Sequence, residues 1–206
     1  MGIEIERKFL VSRSFPKGEK QYSIKQGYIN PLRCSVKISG NLMFFIHAGD
    51  HIALQIDIRD DSEGILRDIP HDENGLLSLD NHNLVRIRTR DDNGFITIKG
   101  LTGPIGTPEY EYDIPASLAE DLLDKFADRY ITKLRNIITF KGKKWEVDEF
   151  TSPVSLTLAE IELTNIQDDL IIPSWIGKEV TGDHRYSNSE IIKTKGYNAV
   201  TQEFTN

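Results

Sequence analysis

The chain has 206 residues, of which 38% are hydrophobic and 28% charged, enough apolar material for one domain with a real core. With 25 Lys and Arg against 32 Asp and Glu, the formal charge is -7, which argues against a general nucleic-acid binder. No run of 18 apolar residues marks a membrane span, the acidic start MGIEIERKFLV does not read as a signal peptide, and the single cysteine, Cys34, fits a reducing cytoplasm.

Short alternating runs predict strands at 3–11, 22–29, 34–38, 42–48, 52–59, 84–90, 94–99, 108–114, 132–140, 143–150 and 156–164. Gly40-Asn41, Asp92-Asn93-Gly94 and Lys141-Gly142-Lys143 are the turn signals between several of them. One amphipathic helix is predicted at about 116–129, after Pro115 and capped by Ser117, with Leu118, Leu122, Leu123 and Phe126 as its stripe. Pro173-Ser174 predicts a short helix to about Val180, and Ser187-Asn188 another. His47 and His51 are placed in a turn around Gly49-Asp50, and Trp145 and Trp175 read as packing anchors.

The strands carry charges in pairs two residues apart, and such pairs share one face. Glu4, Glu6 and Lys8 open the series. Arg86 and Arg88, Glu109 and Glu111, Lys133 and Arg135, Glu146 and Asp148, and Glu160 and Glu162 continue it, and Lys99 ends its own strand. A half-solvated sheet explains any one pair. Six pairs of like charge are different, because neighbouring like charges repel unless something neutralises them. Paired carboxylates suit divalent cations, and paired Arg and Lys suit phosphate. A sheet closed into a barrel would aim eight acids and six bases into one lumen, two negative charges in excess. Divalent cations would make that lumen receptive to a polyphosphate. Oxygen donors without Cys or clustered His select Mg2+ or Mn2+.

Glu4-x-Glu6-x-Lys8 resembles the signature of the CYTH family, the triphosphate tunnel metalloenzymes. IKQGYI (24–29), LVRIR (84–88), ITIKG (96–100), PEYEYDIP (108–115), ITKLRN (131–136), WEVDEF (145–150), AEIEL (159–163) and TGDHRYSNS (181–189) resemble further family blocks in order, over about three-quarters of the chain. The resemblance implies a mainly β fold: an eight-stranded antiparallel closed barrel, or tunnel, with a few peripheral helices. It implies a single domain over 1–206 and metal-dependent hydrolysis of a triphosphate compound, with bacterial inorganic triphosphatases the nearest in kind. It makes Glu4, Glu6, Glu146, Asp148, Glu160 and Glu162 the metal-binding candidates. It makes Lys8, Arg86, Arg88, Lys99, Lys133 and Arg135 the phosphate-binding candidates. Lys8, with Glu4 and Glu6, is the catalytic set, Lys8 orienting the attacking water or touching the transferred phosphate. Arg185, Tyr186 and Asn188 are expected to pack the C-terminal segment. The chain departs from the pattern between GYI and VRIR, where about 48 residues intervene. This β-rich insertion, 31–78, is open to service as a lid, a dimerisation surface or a decoration.

The expected partner is a small-molecule triphosphate, with no nucleic acid and no membrane; a homodimer stays open, and the expected location is cytoplasmic. Adenylate cyclase chemistry on the same fold is the nearest alternative. A polyphosphate-binding module without turnover is the next, and a plain half-exposed β protein the last.

Overall fold

The computed structural model of the protein describes residues 5–11, 14–39, 41–58, 72, 74–100, 109–163, 165, 170–199, 201 and 203–204. The strands, in chain order, are β1 (Ile5–Val11), β2 (Lys20–Ile29), β3 (Cys34–Ser39), β4 (Asn41–Ala48), β5 (His51–Ile58), β6 (Leu76–Ser78), β7 (Leu84–Arg90), β8 (Asn93–Lys99), β9 (Glu109–Pro115), β10 (Tyr130–Phe140), β11 (Lys143–Ser152), β12 (Leu156–Leu163), β13 (Ile176–Glu179), β14 (Tyr197–Asn198) and β15 (Glu203–Phe204). Among the described residues two α-helices join them: α1 (Ala116–Phe126) and the single turn α2 (Asn188–Ile191). The fold is mainly β and antiparallel with few helices, as expected. Among the described residues, no helix is long and apolar enough to cross a membrane.

The chain forms two compact units: residues 1–25 with 130–206, and residues 26–129. In the first, β10, β11 and β12 are successive hairpin partners, β1 pairs with β12, and β13 pairs with β1. Lys141 and Gly142 both take positive φ, 50° and 76°, and so make the tight connection between β10 and β11. Alternation sends Phe9, Trp145, Val147, Ala159, Ile161 and Leu163 to one face, where they meet Ile138, Trp175 and Ile176. Trp145 stands edge-on to Trp175 at 5.6 Å and against Phe9 at 5.7 Å, so both tryptophans are the packing anchors expected of them.

In the second unit, β7, β8 and β9 form a meander, and β5, β4, β3 and β6 form a separate antiparallel sheet from the 34–78 segment. Helix α1 buries Ala119, Leu122 and Leu123 against Val85, Ile87, Ile96, Ile98, Tyr112 and Ile114. Each buried leucine contributes about 1.5–3 kcal/mol. Gly94 is where helix and meander touch: a Cβ there would lie 2.8 Å from both the Ala119 Cβ and the Pro115 carbonyl oxygen.

Three expectations are corrected. The residues after Pro173-Ser174 do not form a helix: the Ile176 N–H donates to the Pro173 carbonyl in one turn, and Ile176–Glu179 is then drawn out as a strand against β1. Helix α1 begins at Ala116 with Pro115 at its N-cap and no side-chain cap, so Ser117 lies inside its first turn, and the helix stops at Phe126. His47 sits within β4, where its Nε2 is 2.7 Å from Ser35 Oγ, and His51 opens β5; only Gly49 and Asp50 form the turn. Cys34 is buried as a free thiol, and burial pushes its pKa up to about 12. The short C-terminal helix is present, and Ser187 caps it by accepting from the Glu190 N–H.

Candidate active site

The face of the first unit opposite its apolar layer is where the charged pairs meet. Register does this directly: Glu6 lies opposite Glu162, Lys8 opposite Glu160, Glu146 opposite Glu160, and Arg135 opposite Asp148. Lys8 Nζ lies 2.9 Å from Glu160 Oε1 and 3.1 Å from Glu6 Oε1, and it donates to the Tyr186 carbonyl at 3.4 Å. Arg135 spreads its fork over three acids. Its Nε and Nη2 donate to the two oxygens of Asp148 at 2.7 Å each, its Nη2 reaches Glu160 at 3.3 Å, and its Nη1 bonds Glu146. Lys133 is buried and donates to Asp148 at 2.5 Å and to the Asn188 side-chain oxygen at 3.5 Å. Glu162 is exposed beside Glu6, and Glu4 lies outside the described residues.

The electrostatics follow from these neighbours. Burial and then the Glu160 carboxylate push Glu6 above the ordinary carboxylate value, with Lys8 pulling it back. Burial opposes the Lys8 charge, but Glu160 and Glu6 outweigh it and hold the ammonium above its ordinary pKa. Burial also opposes the charge of Asp148, but Lys133 and Arg135 bring its pKa down to about 2. Burial depresses Lys133 despite Asp148 beside it. Five carboxylates (Glu6, Glu146, Asp148, Glu160, Glu162) face four cations (Lys8, Lys133, Arg135 and, 3.0 Å from Glu146, Lys144), so this face is acidic by one charge.

The second unit carries the complementary set. Arg86 Nη2 donates to Glu109 at 2.8 Å, to Glu111 at 3.1 Å and to Thr97 Oγ1 at 3.0 Å. Arg88 Nη2 lies 2.8 Å from both oxygens of Glu111, and its guanidinium lies over the Phe95 ring at 5.0 Å. Lys99 Nζ is 2.5 Å from Glu109. Burial resists ionisation of Glu111, but Arg88, Thr97 and Arg86 outweigh it and lower its pKa. Three cations against two carboxylates leave this cluster basic.

Thus Glu6, Lys8, Lys133, Arg135, Glu146, Asp148, Glu160 and Glu162 share one face, and Arg86, Arg88 and Lys99 gather in their own cluster with Glu109 and Glu111. The sequence reading missed Thr97, although its place two residues before Lys99 puts it on the charged side. It also missed Thr181 and the Tyr186 carbonyl, which no periodicity marks.

Among the described residues, no three His, Cys, Asp or Glu side chains converge closely enough to hold a metal ion as they stand. The donor chemistry nevertheless fits a hard divalent cation. Glu6 against Glu162 and Glu146 against Glu160 are like charges in direct register, which destabilise a sheet unless a cation intervenes. For Glu146 and Glu160 that cation is now the Arg135 guanidinium.

Comparison with known proteins supplies the family. The family model described as CYTH domain matches residues 57–194. An inorganic triphosphatase of Acetivibrio thermocellus is 42% identical over 121 residues, 58% of this chain and 78% of that protein. An inorganic triphosphatase of Nitrosomonas europaea is 29% identical over 193 residues, 91% of this chain and 95% of that protein. The crystal structure of the inorganic triphosphatase NE1496 superposes with a TM-score of 0.54 at 26% identity, over 93% of this chain and 95% of that one. A family model that spans well over half the residues, joined to charged strands in the family's order, leaves one assignment: the chain belongs to the CYTH domain family.

Proposed function

We propose that the protein hydrolyses the terminal phosphoanhydride of a triphosphate compound, with inorganic triphosphate the first candidate and Mg2+ or Mn2+ as the cofactor. The observation that carries this reading is the pairing of carboxylates with carboxylates across β1, β12 and β11. Simple anion binding has no use for that arrangement. The relatives named inorganic triphosphatase support the choice of substrate.

In this reading Glu4, Glu6, Glu160 and Glu162, with Glu146 beside them, hold the divalent ion. When bound, such an ion would supply charge neutralisation for phosphate oxygens and acidification of a water. Arg86, Arg88 and Lys99 take phosphate oxygens, the arginines presenting planar forks already braced by Glu111 and Thr97. Lys133 and Arg135 serve the same end from β10. Asp148, whose oxygens both accept from these two residues, holds them in place. Lys8, kept protonated by its acidic neighbours, orients the water or stabilises charge on the transferred group.

The test is a panel of triphosphate compounds, inorganic triphosphate and ATP included, with Mg2+, Mn2+ or a chelator, and identification of products. Orthophosphate release from inorganic triphosphate that stops on chelation is the expected result. Cyclic AMP and diphosphate from ATP would assign cyclase chemistry instead, and binding without release would assign a binding module.

A further inference from the structure

We propose that Thr181, oriented by Glu179 and Arg7, is a positioning residue for Lys8. The inference rests on the reading above, in which Lys8 acts on the phosphate, and it deepens that reading.

The backbone of Lys8 is bound on both sides by the segment that follows β13. The Val180 N–H donates to the Lys8 carbonyl at 2.8 Å, and the Lys8 N–H donates to Thr181 Oγ1 at 3.0 Å. A side-chain hydroxyl thus stands in where the ladder would offer a carbonyl. The pairing of β1 with β13 is irregular here, running from Phe9 opposite Glu179 to Val11 opposite Ile176.

A hydroxyl has one proton to give, so its direction decides whether it accepts from Lys8. Two acceptors compete for that proton. Glu179 Oε1 lies 2.7 Å away, whereas the Lys8 carbonyl lies 3.4 Å away and already accepts from Val180. The carboxylate takes it, and the Thr181 lone pairs are left facing the Lys8 N–H. Glu179 is itself fixed by the Arg7 fork, Nε to Oε1 at 2.9 Å and Nη2 to Oε2 at 2.7 Å. Arg7 lies over the Phe9 ring at 5.1 Å. The relay therefore runs from Arg7, on the apolar side of β1, through Glu179 and Thr181 to the backbone that aims Lys8 at Glu160 and Glu6 on the charged side.

Thr181 borders the same cavity as Glu6 and Lys8, but none of the three side chains is assigned a metal or phosphate contact above, so their removal should change turnover more than affinity. The experiment compares wild type, Thr181→Val, Thr181→Ser and Glu179→Gln in the full chain. Steady-state kinetics on inorganic triphosphate with Mg2+ would be read beside hydrogen exchange of the Lys8 amide. Thr181→Val keeps the shape and loses the hydroxyl. It is expected to lower kcat about tenfold, leave KM within about twofold, and speed exchange of the Lys8 amide at least tenfold. Thr181→Ser should restore both readouts to within about threefold, and Glu179→Gln should fall between. Unchanged exchange in Thr181→Val, unchanged kcat against an active wild type, or failure of Thr181→Ser to rescue would overturn the proposal. Absence of phosphate release by wild type would instead overturn the catalytic reading, and with it the role given to Lys8.

Discussion

Replacing Asp148 by Asn tests the energetics of the charged face most directly. Asp148 and Lys133 side chains are 1% accessible, and Asp148 receives three charge-assisted hydrogen bonds, one from Lys133 and two from Arg135. Its pKa falls from an ordinary 3.8 to about 2, which is worth on the order of 2.5 kcal/mol at about 1.4 kcal/mol per unit. The amide also strands two cations in a buried place, so the whole loss is expected at about 3–5 kcal/mol. For a chain of this size each kcal/mol moves the melting point by about 2–4 °C, giving a fall of roughly 6–20 °C at pH 7. Both tryptophans of the chain lie in the unit that holds Asp148, so their fluorescence follows the right transition. The sign of the pH dependence is fixed. A depressed folded pKa stabilises fully above the unfolded value near 4, and that gain is lost as pH falls toward about 2. The gap between wild type and variant should therefore narrow over that interval. A variant that melts within 2 °C of wild type at pH 7, or a gap as wide at pH 2 as at pH 7, would refute the reasoning.

Glu6→Gln should lower metal-dependent phosphate release by about 10²–10³-fold and leave the melting point nearly unchanged, since it removes one of two like charges in register. Arg88→Lys gives up the planar fork over Phe95, so KM for inorganic triphosphate should rise about tenfold, read from initial rates. Gly94→Ala forces a methyl group against Ala119 and the Pro115 carbonyl. It should cost about 1–3 kcal/mol in the urea unfolding of the second unit, followed by circular dichroism because that unit has no tryptophan.

The charged face was legible because strand periodicity needs no tertiary knowledge. Glu6 and Lys8, Glu146 and Asp148, and Glu160 and Glu162 were bound to share sides once their strands were recognised. Helix α1 was legible through Leu118, Leu122, Leu123 and Phe126 at helical spacing. What local rules did not reach was decided at a distance. Ile176–Glu179 follows a helix-start signal, yet the open edge of β1 offers it a ladder, and pairing wins over a weak local preference. The same strand brings Thr181 to Lys8, a contact between residues 173 apart in sequence. Thr97 and Glu111 had the right phase, but only the β8–β9 register, which sets them opposite one another, shows that together they brace Arg86.

The order of synthesis gives the ladder between β1 and β12 a temporal meaning. Residues 26–129 form a contiguous unit and emerge complete, whereas the surrounding unit needs its first strand to wait for one near residue 160. At about 5–20 residues per second, that wait lasts roughly 8–30 s. Throughout it the nascent IERKFLV segment has no β12 to pair with, and Lys8 meets Glu160 only once β12 has emerged. Closure of the charged face thus waits on β12, and a chain truncated after residue 129 should yield a folded middle with an orphaned leading strand.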